Sequence, residues 1–485
     1  MASNFQINIQ IQFISKSLAY PNRTNCDYLT CARCHPPVSP ARMNPHRIIT
    51  PALSEIVHDA IRTCCLVGTE PFLRRVVPVL DRCGMSVERL SVTPSTRRPD
   101  DLKARLAAQD VQDSLLLPLK VMAGVAPEVV QNDDNYKYLF VGWTGPSDWR
   151  IDLNKAGLSG AKHILSAPVT TTGDAQFLSE LRCGTRGALR HGGEYSMMWN
   201  ELRFAPGILA LQQVLQQLTT PGKGKGERTA EVRLKLHLSP PLFGAPTRAE
   251  REHFSWWHMR QRGGGALGAA GVQAFDLLQF LLTPLLATAV SSSSATPSIA
   301  RPSRVKQTRA HVLTTNEQTT TKDSFQIDQR PITTSGDVCF IQCEYDALNV
   351  KVDLELDWSL RNGKEEYNPR IEVYTTDAAT ASASLDLVTG ECVDGDMVVT
   401  TGTSLSTEGA YEDSQHHFVR ALVELQAETG KTGGRNEESI ELDIHKYGVN
   451  WTDALVSYNA VDASYVSWDR YMNEGKEEED CWVCV

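Results

Sequence analysis

The stretch RQRGGGALGAAGVQAFDLL, from Arg260, carries Gly263, Gly265 and Gly268 in the G-x-G-x-x-G spacing. Such glycines let a backbone approach a pyrophosphate at a helix N-terminus. That use needs a buried strand directly before the glycines, and the preceding HFSWWHMRQ is not one. The required order of strand, turn and helix occurs instead at IRTCCLVGTEPFLRRVVPVL, from Ile61. There Gly68 keeps the first glycine position and Thr69 adds a hydroxyl, but Glu70 holds the second glycine position. A carboxylate within about 4 Å of a diphosphate is repelled by several kcal/mol at a partly buried dielectric. The plainer reading is that Glu70 favours the positive start of a helix, and Arg74 and Arg75 lie one turn further on. Retained and lost dinucleotide binding both stay open. If a nucleotide binds, the second strand ends near Val92 and Thr93 without an acid for the ribose 2′-hydroxyl. Arg97 and Arg98 follow, suited to a 2′-phosphate, so NADP is preferred over NAD; solvated arginines at a helix start are the alternative.

Two cysteine patterns point to no chemistry. CARCH, Cys31 to His35, matches the C-x-x-C-H of haem attachment but lacks helical periodicity and is followed at once by prolines. With Cys26 the same cluster crowds every zinc ligand into ten residues, whereas structural zinc draws ligand pairs from separated segments. CWVCV at the C-terminus places Trp482 where prenylation would need cysteine.

The whole chain of 485 residues is 41% hydrophobic and 22% charged, ordinary for globular domains. A net charge of −10 argues against nucleic acid as a partner. The longest apolar stretch, FDLLQFLLTPLLATAV from Phe275, is interrupted by Asp276, Gln279 and Pro284, so no membrane partner is expected. The first twenty residues lack a signal-peptide pattern, and a cytoplasmic location is expected, with secretion left open.

Elements that could position the glycine turn are legible. Strand patterns at IRTCCLVG, MSVERLSV, YLFVGW and AKHILSAPV alternate with helical patterns at PFLRRVVPVLDRCG, RRPDDLKARLAAQ and SDWRIDLNKAG. The expected fold is an N-terminal Rossmann-like, doubly wound parallel sheet. In the helical stretch after Gly68, Phe72, Val76, Val79 and Leu80 share one face. From about Tyr195 alternating strands follow at AEVRLKLHLS, SGDVCFIQCEY, NVKVDLELDWSL and RIEVYTT, with helices at ELRFAPGILALQQVLQQL and WTDALVSYNAVDASYVSW. These predict a mostly antiparallel, open-faced α+β domain with helices on one side. VMAGVAPEVV reads as core or connector. The expected division is an N-terminal extension over 1–58, a nucleotide-binding domain over 59–190 and an α+β domain over 191–470. A flexible insertion over 288–328 and an acidic, solvated tail over 471–485 complete it.

The chain resembles the Gfo/Idh/MocA oxidoreductases, on CLVGTEPFLRRVVPVL, AGLSGAKHILSAPV, NELRFAP, WWHMRQRGGGALGAAGVQAFDLLQFL and WTDALVSYNAVDAS, spread in the family's order across residues 61 to 470. The LRF-P segment and the poor glycine motif look closest to the glucose-fructose oxidoreductase domain-containing subgroup. The resemblance implies a Rossmann domain, an open-faced sheet domain, an NAD(P) cofactor, a sugar or polyol substrate and a homodimer. It implies a cofactor set of Gly68, Thr69, Arg97, Arg98 and Pro146, and a substrate cleft with Arg203, Trp257, Gly265, Gln273 and Asp276. Trp257 serves a packing role equally well.

Hydride transfer from a sugar carbon needs a base near the nicotinamide. The family uses a lysine at a strand end and the Asp and His of D-x-x-x-H. Here the lysine position falls on Pro168, or on Ala167 with a one-residue slip; Ala269 and Gln273 take the Asp and His positions. Only Asp276, one turn on, matches, so no catalytic residue is assigned. Two readings stand: an NADP-dependent sugar or polyol oxidoreductase with a substitute shuttle from Asp148, His163 or Asp276, or a non-catalytic binding or scaffolding protein on the same fold.

Overall fold

The computed structural model describes residues 62–68, 72–73, 76–77, 80, 85–92, 120–123, 127–132, 136–143, 147–159, 162–168, 196–219, 231–243, 260, 264–289, 299–311, 338–358, 369–375, 380–395, 397–400, 449 and 451–485. Continuous apolar runs build the first sheet, because strands covered on both faces have no solvent side to mark. Its strands are β1 (Arg62–Gly68), β2 (Met85–Val92), β3 (Lys120–Ala123), β4 (Tyr138–Val141), β5 (His163–Ser166) and β6 (Ser196–Met198). They run parallel in the order β3-β2-β1-β4-β5-β6, so the winding reverses between β1 and β4. On one face Cys65, Val67, Leu139, Val141 and Ile164 pack with Val130 of α1 (Pro127–Asn132) and with Leu153 and Ala156 of α2 (Ser147–Ser159). Helical residues Phe72, Leu73, Val76, Val77 and Leu80 are buried, in keeping with the expected apolar face; Val79 lies outside the described residues.

Alternation builds the second sheet. Along β7 (Val232–Leu238) and β10 (Val350–Asp357), Leu234, Leu236, Val352 and Leu354 are buried while Arg233 and Lys351 are exposed. Nine strands follow the order β14-β13-β12-β11-β7-β10-β9-β8-β15. The others are β8 (Arg304–His311), β9 (Val338–Tyr345), β11 (Arg370–Thr375), β12 (Ala383–Asp386), β13 (Cys392–Asp394), β14 (Met397–Thr400) and β15 (Val483–Cys484). Every pairing is antiparallel except β7 with β10. Its apolar face shares one core with α3 (Pro206–Thr219), α4 (Gly265–Ala289) and α5 (Trp451–Asn473). Its other face carries charge pairs such as Arg233–Asp353 at 2.5 Å and His237–Glu355 at 2.6 Å.

Three expectations are corrected. The insertion expected over 288–328 contains β8, whose polar Lys306 and Gln307 are buried rather than solvated. The tail expected to be solvated folds back: after α5 it forms a 3-10 turn over Glu478–Cys481, and β15 pairs with Arg304 and Val305 of β8. The stretch broken by Asp276, Gln279 and Pro284 is one continuous helix, α4, long and apolar enough to cross a bilayer by composition. It is instead enclosed by the second sheet, α3 and α5, where its polar side chains find internal partners. The CARCH cluster, the extension over 1–58 and the RRPDDLKARLAAQ helix lie outside the described residues.

Candidate functional site

In an open parallel sheet, ligands bind outside the carboxyl ends of the strands where the winding reverses. Here that point lies between Gly68, ending β1, and Gly142, following β4; Gly142 N donates to Val67 O at 2.8 Å. The ring of Phe72 covers both glycines. A Cβ placed on Gly68 would lie 2.5 Å from Phe72 Cδ1, and one on Gly142 would lie closer still to the same atom. Trp199 meets Phe72 edge-on with centroids 6.2 Å apart, and meets Phe140 of β4 at 6.0 Å. The crevice is therefore lined by an aromatic cluster drawn from three chain segments. A dinucleotide would need the Gly68 backbone open to its pyrophosphate. With the Phe72 ring in that space, the described residues do not fit the group as they stand.

Next to this cluster lies a buried polar network. Met198 ends β6, Trp199 follows it, and a 3-10 turn over Glu201–Phe204 comes next, stopped by Pro206, which starts α3. This turn brings Asn200 and Arg203 inward against α4. Arg203 Nε donates to Asp276 Oδ2 at 2.8 Å, and Arg203 Nη2 donates to Asp276 Oδ1. Asn200 Nδ2 donates to Asp276 Oδ2 at 2.5 Å and to the Gln273 carbonyl at 3.2 Å. Gln273 Nε2 donates to the Trp199 carbonyl at 2.6 Å. Asn200, Gln273 and Asp276 are fully buried, and Asp453 of α5 comes within 4.0 Å of Arg203 Nη2. Burial drives the Asp276 carboxyl above the ordinary range, with the Arg203 guanidinium and the Asn200 amide working against it. The network is a structural clamp between β6 and α4, with its carboxylate committed.

The positions that matter for proton transfer are closed. Ala167 and Pro168 are buried after β5, and Ala167 N donates to Val141 O at 2.6 Å. Ala269 is fully buried on α4. His163 sits at the opposite, amino end of β5, stacked on Tyr138 with centroids 5.0 Å apart. It stands about 10 Å along the strand from the carboxyl end at Ser166. Burial and then the neighbouring Lys137 push its imidazole down to about 4. Asp148 lies in the first turn of α2, and Gly265 opens α4 with φ of 80°. Gly268 is buried inside α4. Gly263, Thr69, Glu70, Arg97, Arg98, Pro146 and Trp257 lie outside the described residues.

The structure thus brings together Arg203, Gln273 and Asp276 beside the crevice at Gly68, and adds Phe72, Trp199, Asn200 and Asp453, which the sequence reading left without a role. The tripeptide Trp199-Asn200-Glu201 was the available signal: polar residues wedged between an apolar strand and an apolar helix.

No family model matches the chain, and no curated protein matches it. Solved structures do. An oxidoreductase from Agrobacterium radiobacter, in complex with NAD+, L-tartaric acid and magnesium, aligns with TM-score 0.53 at 11% identity, over 88% of this chain and 98% of that one. A super-repressor mutant of Gal80p from Saccharomyces cerevisiae gives TM-score 0.54 at 11% identity, with the same coverage of 88% and 98%. The fold is that of the Gfo/Idh/MocA-like oxidoreductases. A myo-inositol dehydrogenase from Corynebacterium glutamicum shares this oxidoreductase fold too, with TM-score 0.50, 11% identity and coverage of 88% and 99%. The same architecture therefore accommodates both dehydrogenases and a protein named as a repressor.

Proposed function

We propose that this chain uses the Gfo/Idh/MocA-like oxidoreductase fold for binding rather than turnover, as a non-catalytic member of the glucose-fructose oxidoreductase domain-containing subgroup. One observation carries this reading: Gln273, at the position of the family's proton-handling histidine, has its amide committed to the Trp199 carbonyl, beside an Asp276 clamped by Arg203 and Asn200. A proton shuttle needs a titratable group free to exchange with substrate and solvent, and none of these positions offers one.

The proposed ligand is a dinucleotide at the carboxyl end of the parallel sheet, in a domain over residues 59–190, with NADP preferred over NAD. Gly68, Thr69, Arg97, Arg98 and Pro146 form the proposed cofactor set. Arg203, Trp257, Gly265, Gln273 and Asp276 form the proposed wall of the neighbouring cleft, in an α+β domain over 191–470 that would pair as a homodimer. When bound, an NAD(P) group supplies hydride chemistry; this chain's own residues would hold and orient it. The likeness to a myo-inositol dehydrogenase favours, as a second reading, a sugar or polyol oxidoreductase with a different shuttle.

The test is NADPH binding by calorimetry together with a turnover assay on sugars and polyols. Saturable binding that weakens in Arg97→Ala/Arg98→Ala, with no turnover, is the expected result. Substrate-dependent NADP+ reduction would overturn it in favour of the second reading.

A further inference from the structure

The feature the reading above leaves unexplained is the ring over the two glycines. A fingerprint glycine is useful because nothing stands between its backbone and the phosphates. At the point where the winding reverses, Gly68 and Gly142 both lack a Cβ, yet the space each leaves is taken by Phe72. A Cβ on Gly142 would lie 2.5 Å from Phe72 Cε1 and nearer again to Cδ1 and Cγ. The ring is buried, and Trp199 backs it edge-on at an interplanar angle of 77°. Trp199 is fixed in turn, its N–H donating to Ser166 O at 2.6 Å and its carbonyl accepting from Gln273. The ring therefore rests on a rigid support.

We infer that Phe72 is the specificity-determining residue of this crevice: its side chain occupies the pyrophosphate approach over Gly68 and Gly142, and a dinucleotide binds only when the ring is displaced. This rests on the proposed dinucleotide site. The chain then discriminates between ligands by the free energy of moving one aromatic ring, and a weakly binding wild type follows from the geometry.

The experiment titrates NADPH into the full chain by calorimetry, comparing wild type with Phe72→Ala and Phe72→Leu. Thermal melts establish that each variant is folded. Phe72→Ala is expected to lower Kd at least tenfold, and Phe72→Leu, which keeps bulk without the flat ring, to lower it less. Phe140→Leu touches Trp199 but covers neither glycine, and is expected to leave Kd unchanged. Equal Kd values for wild type and both Phe72 variants overturn the inference and leave the dinucleotide reading standing. Binding by the variants with none by wild type supports the inference and removes the dinucleotide as a ligand of the native chain. If neither folded variant binds NADPH, both the inference and the dinucleotide site fall.

Discussion

Arg203 and Asp276 form a two-point ion pair across 73 residues of sequence, joining the turn after β6 to the middle of α4. Both side chains are almost completely buried, at 2% and 0% exposure, so neither charge can fall back on water. Removing one partner of such a pair costs about 3–5 kcal/mol, because the other charge is stranded. Arg203→Met is expected to lose that amount in urea unfolding, and Asn200→Ala about 1–3 kcal/mol. The double replacement Arg203→Met/Asp276→Leu should lose much less than the sum of its single changes. Additive losses would show that the two residues do not act as a unit.

His163 sets a pH dependence whose sign can be worked out. Its imidazole is held down to about 4 in the folded chain by burial and Lys137, against 6.5 when unperturbed. The unfolded chain therefore takes up a proton first as pH falls. The stability associated with neutral His163 is complete above 6.5 and is lost as pH falls from 6.5 to 4. At about 1.4 kcal/mol per pH unit this amounts to about 3 kcal/mol. His163→Phe, which keeps a ring against Tyr138, should flatten the profile over this window in denaturant unfolding. An unchanged slope would show that His163 is not the group titrating.

The C-terminal residues act as an edge cover. β15 pairs with β8, the Trp482 ring lies 4.8 Å from the Arg304 guanidinium and 5.0 Å from Lys306 Nζ, and Arg470 donates to the Trp482 carbonyl at 3.0 Å. Deleting residues 482–485 should lower stability by about 1–3 kcal/mol and promote self-association through the bared β8 edge. Sedimentation velocity reads the second effect; an unchanged monomer–oligomer distribution and melting temperature would contradict it.

Strands with a plain pattern were legible in the sequence. β1 and β4 are unbroken apolar runs, and β7, β9, β10 and β11 alternate cleanly, so the two-sheet fold class follows from periodicity. β8 escaped because Lys306 and Gln307 are buried by partners far along the chain: Trp482 lies against the first, and Ser467 Oγ accepts from the backbone N–H of the second at 3.0 Å. β6 is three residues long, too short for any period to show. The Asp276 clamp was half legible, since both Arg203 and Asp276 stood out by resemblance. That they bind each other, and that Asn200 joins them, depends on α4 packing against a segment 73 to 76 positions earlier. Phe72 read as one more apolar residue of a helix face, because periodicity reports burial and not what is being covered.

Binding without turnover is tested most directly by incubating the purified full chain with NADP+ and a panel of sugars and polyols, following absorbance at the wavelength of NADPH. No substrate-dependent NADPH is expected to form, even where calorimetry detects NADPH binding. Sustained NADP+ reduction with any one substrate, abolished by a substitution in Gln273 or Asp276, would contradict the proposal.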